Sequence, residues 1–184
     1  DSRGYLRLAH DMADSVSSGA IHGWGWLGPE LSIMPLIAWA FTASVVLFGE
    51  MAPLGYVLFQ GVIDAGTCLL IHGIAGSIAP RFAVPAGVAG ALNPTQIVLS
   101  GLFYTDTPFL FLTALSLFAT IRWLREPTWQ SSWLIGVSLG MASLVRVLIV
   151  PWTVFLLLFL LASRAVFGRI HFRHVGHVAL AGVL

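Results

Sequence analysis

Residues 133–162 read WLIGVSLGMASLVRVLIVPWTVFLLLFLLA, thirty positions with one charge, Arg146. A membrane-crossing helix takes about 20 apolar residues, so this stretch is long for one upright helix and short for two full ones. The surrounding arginines arbitrate. Basic residues collect on the cytoplasmic side of a membrane, and all nine basic residues of the chain are Arg. Arg122 and Arg125 precede the stretch, and Arg164, Arg169 and Arg173 follow it. Both groups share one side only if the chain crosses an even number of times between them. The arginines therefore predict two short helices that meet near 146–151, with Arg146 on the outer side. A positive charge is unexpected there and needs a partner.

Outward from this stretch, the whole chain fits a bilayer. It has 184 residues, 58% hydrophobic and only 9% charged, with a mean hydropathy of +0.90. Soluble domains carry roughly a quarter charged residues, which excludes a cytosolic globular enzyme and a disordered regulator. A net charge of +1 with no basic stripe excludes nucleic acid as a partner. Cys68 is the lone cysteine, so neither a disulfide framework nor a zinc spacing exists, and it reads as a small buried hydrophobe. Beginning at Asp1 and ending in an apolar run, the sequence is expected to be a piece of a longer protein, truncated at both ends.

The other runs complete an all-α, polytopic membrane helix bundle. Residues 1–18 form an amphipathic helical stretch, with Tyr5, Leu8, Met12 and Val16 recurring at helical spacing. A loop over 17–29 carries Trp24 and Trp26, aromatics suited to the headgroup level. Apolar runs follow over 31–48, 54–78, 82–102 and 109–124. The second holds Asp64 and His72, eight residues apart and on one face, for which helix–helix hydrogen bonding is the plainest use. The third contains Asn93-Pro94. The fourth is preceded by Thr107-Pro108, read as an N-cap with proline at the first helical position. Gly136 and Gly140 form a small-xxx-small contact motif. His171, His174 and His177 fall beside Arg169 and Arg173 and read as an interfacial turn. By hydropathy alone, 31–48 could span or lie along the interface. In either case the loop at Tyr104-Thr105-Asp106, which has no basic residue, falls outside with Arg146.

The order of these features resembles the integral-membrane glycosyltransferases of the GT-C superfamily. The nearest branch holds protein O-mannosyltransferases and the lipid A aminoarabinose transferase. The resemblance rests on Asp1 and Tyr5 followed by Ala9-His10-Asp11-Met12-Ala13, then Glu30 before Met34-Pro35-Leu36 and Leu47-Phe48-Gly49. It continues through Arg81, Asn93-Pro94, Thr105-Asp106-Thr107-Pro108-Phe109, Gly136 to Gly140, and Leu144-Val145-Arg146. It departs from the family pattern at Ser2, where an acidic residue is common, and in the longer spacing from Glu30 to Pro35. The resemblance implies that 31–48 is a helix lying at the outer face and paired with the amphipathic helix. Residues 1–53 would then be an outer loop with interfacial helices, and residues 54–184 membrane spans of the catalytic domain.

It implies an inverting membrane glycosyltransferase that takes a sugar from a polyprenyl-phosphate donor and passes it to a lipid, glycan or protein acceptor on the extracytoplasmic face. Such chemistry uses a carboxylate base for an acceptor hydroxyl, and cations or a divalent metal ion where charge develops on the departing phosphate. By family position, Asp1 is the base and Tyr5 a substrate-binding residue. Asp106 is a second catalytic carboxylate, against a plain reading as a helix-capping turn. Glu30 is a metal ligand or acceptor contact, against an exposed loop charge. Arg146 is the phosphate-binding group, since its planar fork suits phosphate; its alternatives are a structural ion pair or a snorkelling side chain. A non-catalytic membrane protein, either a transporter segment or an assembly subunit, is the competing function, suggested by Asp64, His72 and the break at Pro94.

Overall fold

The computed structural model describes residues 14, 35–101, 105–146 and 148–167. Asp1, Tyr5 and Glu30, most of the amphipathic head, and the His171–His174–His177 series lie outside the described residues. Among those described, the chain is all helical: α1 Pro35–Phe48, α2 Ala52–Ile78, α3 Ala83–Ala91, α4 Pro94–Ser100, α5 Asp106–Arg125, α6 Trp129–Val145 and α7 Ile149–Phe167, with 3-10 turns at Gly49–Met51 and Pro80–Phe82.

The opening stretch is two helices. α6 ends at Val145, and Arg146 follows in extended backbone, φ −153° and ψ 120°. The Arg146 N–H still donates to the Ala142 carbonyl at 2.9 Å, and the Arg146 carbonyl accepts from Ile149 N–H at 3.2 Å. One residue therefore closes α6 and opens α7.

Residues 36–78 are apolar enough throughout to cross a membrane, but they do not form one rod. Gly49 adopts φ 55°, a left-handed conformation that glycine takes without steric cost, and α1 folds back on α2. Ser44 Oγ donates to the Ala52 carbonyl at 2.7 Å. The Phe41 and Tyr56 rings stack with centroids 3.9 Å apart, where an unbroken helix would hold these residues about 22 Å apart. Of the two helices only α2, roughly 40 Å long at ~1.5 Å per residue, is long enough to cross. α5 is the second helix that is long and apolar enough to cross.

The run at 82–102 is a broken pair rather than one helix, α3 and α4 being bent by 52°. Pro94 has no N–H and its ring crowds the carbonyl four residues back, while Asn93 Oδ1 accepts from Thr95 N–H at 3.1 Å and caps the new helix.

Small residues decide how closely the helices approach. A Cβ on Gly66 would lie 2.9 Å from Phe111 Cε2, and one on Gly73 would lie 2.9 Å from Phe118 Cε2. Two phenylalanines of α5, two turns apart, therefore sit in two glycine notches of α2. The same device joins α2 to α3: a Cβ on Gly87 would lie 3.0 Å from His72 Cβ, and one on Gly90 would lie 3.8 Å from Cys68 Sγ. α5 and α6 pack most extensively of all. Ser116, Ala119, Thr120 and Trp123 of α5 and Ser131, Ser132, Ile135, Gly136, Leu139, Ala142 and Val145 of α6 are buried, so Gly136 serves helix contact as its motif predicts. Trp123, Ile135, Ala142 and Val145 are wholly inaccessible.

Buried hydroxyls bond within their own helix, as Thr120 Oγ1 does to the Ser116 carbonyl at 2.7 Å and Ser138 Oγ to the Ile135 carbonyl at 3.0 Å. The outer faces carry Leu58, Val62 and Leu69 of α2 and Val154, Phe155 and Leu158 of α7, all exposed. Exposed apolar faces of that kind are unsuited to water, and together with the apolar helices they mark an integral membrane protein. The notches give a stability test. Gly66→Leu should cost about 1–3 kcal/mol through overpacking against Phe111, read as a lower unfolding temperature in detergent. Gly61→Ala, where a Cβ meets nothing within 4 Å, should instead raise stability by about 0.5–1 kcal/mol through helix propensity.

Candidate active site

The described part of the site forms where the start of α5 meets the end of α6. These helices are antiparallel neighbours joined by residues 126–128, so the free end of each lies at the end of the pair remote from Arg122 and Arg125. Asp106 opens α5, and Arg146 closes α6. Arg146 Nη1 donates to Asp106 Oδ1 at 2.5 Å, with the two side chains 39% and 32% exposed. The partner that the sequence requires for Arg146 is therefore Asp106.

Each charge stands at a helix end that favours it. A helix N-terminus carries partial positive charge and a C-terminus partial negative charge, so Asp106 suits the first turn of α5 and Arg146 the last of α6. Phe109, one turn after Asp106, places its ring centroid 5.9 Å from Arg146 Cζ, within reach of a cation–π attraction. Phe109 was not singled out as a site residue from the sequence. Its signal was the spacing of three from Asp106, which puts both side chains on one face.

The cap of α5 differs from the sequence expectation. The helix begins at Asp106 with Thr105 in the cap position and no side-chain capping bond. Its first carbonyl bond runs from Phe109 N–H to Thr105 O at 3.2 Å, which draws Thr107 and Pro108 inside the first turn. Thr107 is 3% exposed, and its hydroxyl has no partner among the described residues. Proline is still tolerated there because first-turn N–H groups lack intrahelical acceptors.

Chemically, the pair is a guanidinium with spare capacity. Arginine offers five N–H donors, and among the described residues the Arg146 side chain uses one hydrogen bond, to Asp106. A part-exposed cation with free donors, aimed by a carboxylate and seated on an aromatic ring, suits a phosphate or another anion. Of the five residues singled out from the sequence, the structure thus brings Asp106 and Arg146 into direct contact. Asp64, an intramembrane candidate, bonds to Gln96 on α4; His72 is exposed. No group of three His, Cys, Asp or Glu side chains is disposed to hold a metal ion among the described residues.

Comparison with known proteins places one family on the chain. The family described as dolichyl-phosphate-mannose-protein mannosyltransferase matches residues 29–184, which include every described helix from α1 to α7. No curated protein and no solved structure matches.

The ion pair is open to a direct test. Arg146→Asp alone places two carboxylates together and should lower the unfolding temperature of the detergent-solubilised protein. The swap Asp106→Arg with Arg146→Asp should recover part of that loss, with a coupling of about 0.5–1 kcal/mol for a part-exposed pair. Additive losses would show that the contact contributes nothing to stability.

Proposed function

The chain belongs to the dolichyl-phosphate-mannose-protein mannosyltransferase family, and from that premise we propose that it moves a sugar from a polyprenyl-phosphate donor to an acceptor on the extracytoplasmic face, with inversion at the anomeric carbon. It is a membrane glycosyltransferase of the mannosyltransferase type. What supports this mechanism is the part-exposed Arg146 guanidinium, aimed by Asp106 and, among the described residues, making that one hydrogen bond.

In this mechanism an acceptor hydroxyl attacks the anomeric carbon from the face opposite the lipid phosphate. The new carbon–oxygen bond forms as the bond to the phosphate oxygen breaks, and that bond's electron pair leaves with the phosphate. Arg146 meets the charge that develops there, an interaction that is strongest in the transition state. Asp106 has an oxygen engaged by Arg146, so its part is to aim the guanidinium. The acceptor proton passes to Asp1, with Tyr5 on the substrate and Glu30 near the acceptor, roles that rest on the family resemblance. A divalent metal at Glu30 would supply further charge stabilisation. The competing non-catalytic reading loses ground, because family membership favours transfer and Asp64 is occupied in a helix–helix bond.

Sugar transfer by the full-length protein in membranes tests this. Arg146→Gln should lower kcat/KM for the polyprenyl-phosphate sugar by about 10²–10³-fold. Arg146→Lys should recover only part of that, since the charge returns without the fork. Asp1→Asn should abolish transfer with insertion unchanged. Wild-type kinetics in Arg146→Gln would remove Arg146 from the reaction. Orientation is read separately, with cysteines at Asp1 and Glu30 and a membrane-impermeant thiol reagent. Labelling of both from outside is expected, and protection of both would defeat the extracytoplasmic site.

A further inference from the structure

Away from the ion pair, another interhelical hydrogen bond joins two side chains, Asp64 of α2 and Gln96 of α4. Gln96 Nε2 donates to Asp64 Oδ1. Asp64 lies twelve residues into the 27-residue α2, about 18 Å along it at ~1.5 Å per residue, deep in the crossing segment. Gln96 is 6% exposed and is the one buried residue of α4, a helix of seven residues. Its neighbours Pro94, Thr95, Ile97 and Val98 are exposed.

A helix of seven residues is far below the length at which helices persist alone, and the break at Asn93-Pro94 cuts α4 off from the support of α3. Its apolar side chains are only partly held: Ile97 and Val98 are exposed and Leu99 is half-buried, and Ile97 lines a groove with Val57, Leu58, Gly61 and Ala65 of α2. The one fully buried side chain of α4 is Gln96, bonded to an acid within the span. Such a bond is favoured where water is scarce, because the alternative for each group is to stay unpaired. α4 also packs against α5, whose first residue is Asp106, so holding α4 on α2 bears on the helix end that aims Arg146.

We propose that Asp64 and Gln96 are positioning residues: an intramembrane clamp that holds the half-helix α4 on α2 and thereby places Asp106 for its work on Arg146. The positioning role rests on the transferase reading, whereas the clamp itself does not. Asp64 touches no reacting atom in this scheme. What it supplies is an acceptor for the Gln96 amide, and an Asn side chain can supply the same acceptor without the charge.

Two measurements on the full-length protein test the clamp, in a background without other cysteines. The first is thiol cross-linking of Ala65→Cys with Ile97→Cys, positions that line one groove across α2 and α4. The yield should fall severalfold when Gln96→Leu or Asp64→Leu is added and should be retained with Asp64→Asn. The second is sugar transfer without the added cysteines. Gln96→Leu and Asp64→Leu should each lower kcat by roughly 10- to 100-fold, the scale of a misplaced group, with KM for the donor changed far less. Asp64→Asn should stay near wild type, and the double Leu variant should be no worse than either single. If the Leu variants fail to accumulate, Gln96→Asn, one methylene short of Asp64, takes their place in both arms. Unchanged cross-linking overturns the clamp whatever the transfer activity. Lowered cross-linking with unchanged kcat overturns the positioning role, as does a loss in Asp64→Asn equal to that in Asp64→Leu. A wild-type protein that transfers no sugar defeats the transferase reading and the positioning role with it, and the cross-linking result then decides the clamp alone.

Discussion

α5 and α6 lie antiparallel, so one helix N-terminus and one C-terminus come together, and most of what is known of the site depends on that arrangement. Asp106 and Arg146 occupy those two ends. The helix dipoles favour each charge where it stands, and the pairing removes the penalty that an unpartnered arginine would meet beside a bilayer. At the opposite end, Arg122 and Arg125 fall in the last turn of α5, again where a dipole favours positive charge. The charges are few, and those at the ends of α5 and α6 stand where the helix geometry favours them.

What holds the two helices in that arrangement is small-residue packing more than hydrophobic exclusion, because lipid tails are as apolar as leucine. The α6 face toward α5 is rich in Ser, Gly and Ala, and its hydroxyls bond to carbonyls of the same helix or, at Ser131, to the Thr128 side chain. α2 receives Phe111 and Phe118 in glycine notches. Close approach gives dispersion contact across the interface, and it also sets where the α5 N-terminus lies relative to α2.

Much of this was legible in the sequence. The parity of arginine positions placed the break at Arg146 and put Asp106 on the same side, because topology depends on countable charges. The contact between them follows from short connections and antiparallel neighbours. The reversal at Gly49 was not legible, since hydropathy is indifferent to direction and one left-handed glycine decides it. The break at Pro94 was legible, because proline lacks the N–H a continuous helix needs, but the size of its 52° bend was not. Asp64 was read as an intramembrane acid for helix–helix hydrogen bonding, and its bond to Gln96 is one, but the partner itself was not legible. Gln96 carries no charge and stands in a different run, so nothing in local periodicity connects the two. A glutamine inside an apolar run, opposite an acid in the neighbouring run, was the available signal.

The two pairs differ in a way that follows from depth. At the helix ends, where each side chain is about one-third exposed, water shares the cost of holding two full charges, and arginine can retain donors for a ligand. Near the middle of α2 that help is absent, and a second full charge would add a desolvation cost of several kcal/mol. A neutral amide donating to the Asp64 carboxylate supplies direction without that cost. Polar partners thus become less charged with depth, from Arg146 at the end of the bundle to Gln96 within it. The neutral pair suits a fixed structural contact, and the charged pair suits an anion that comes and goes.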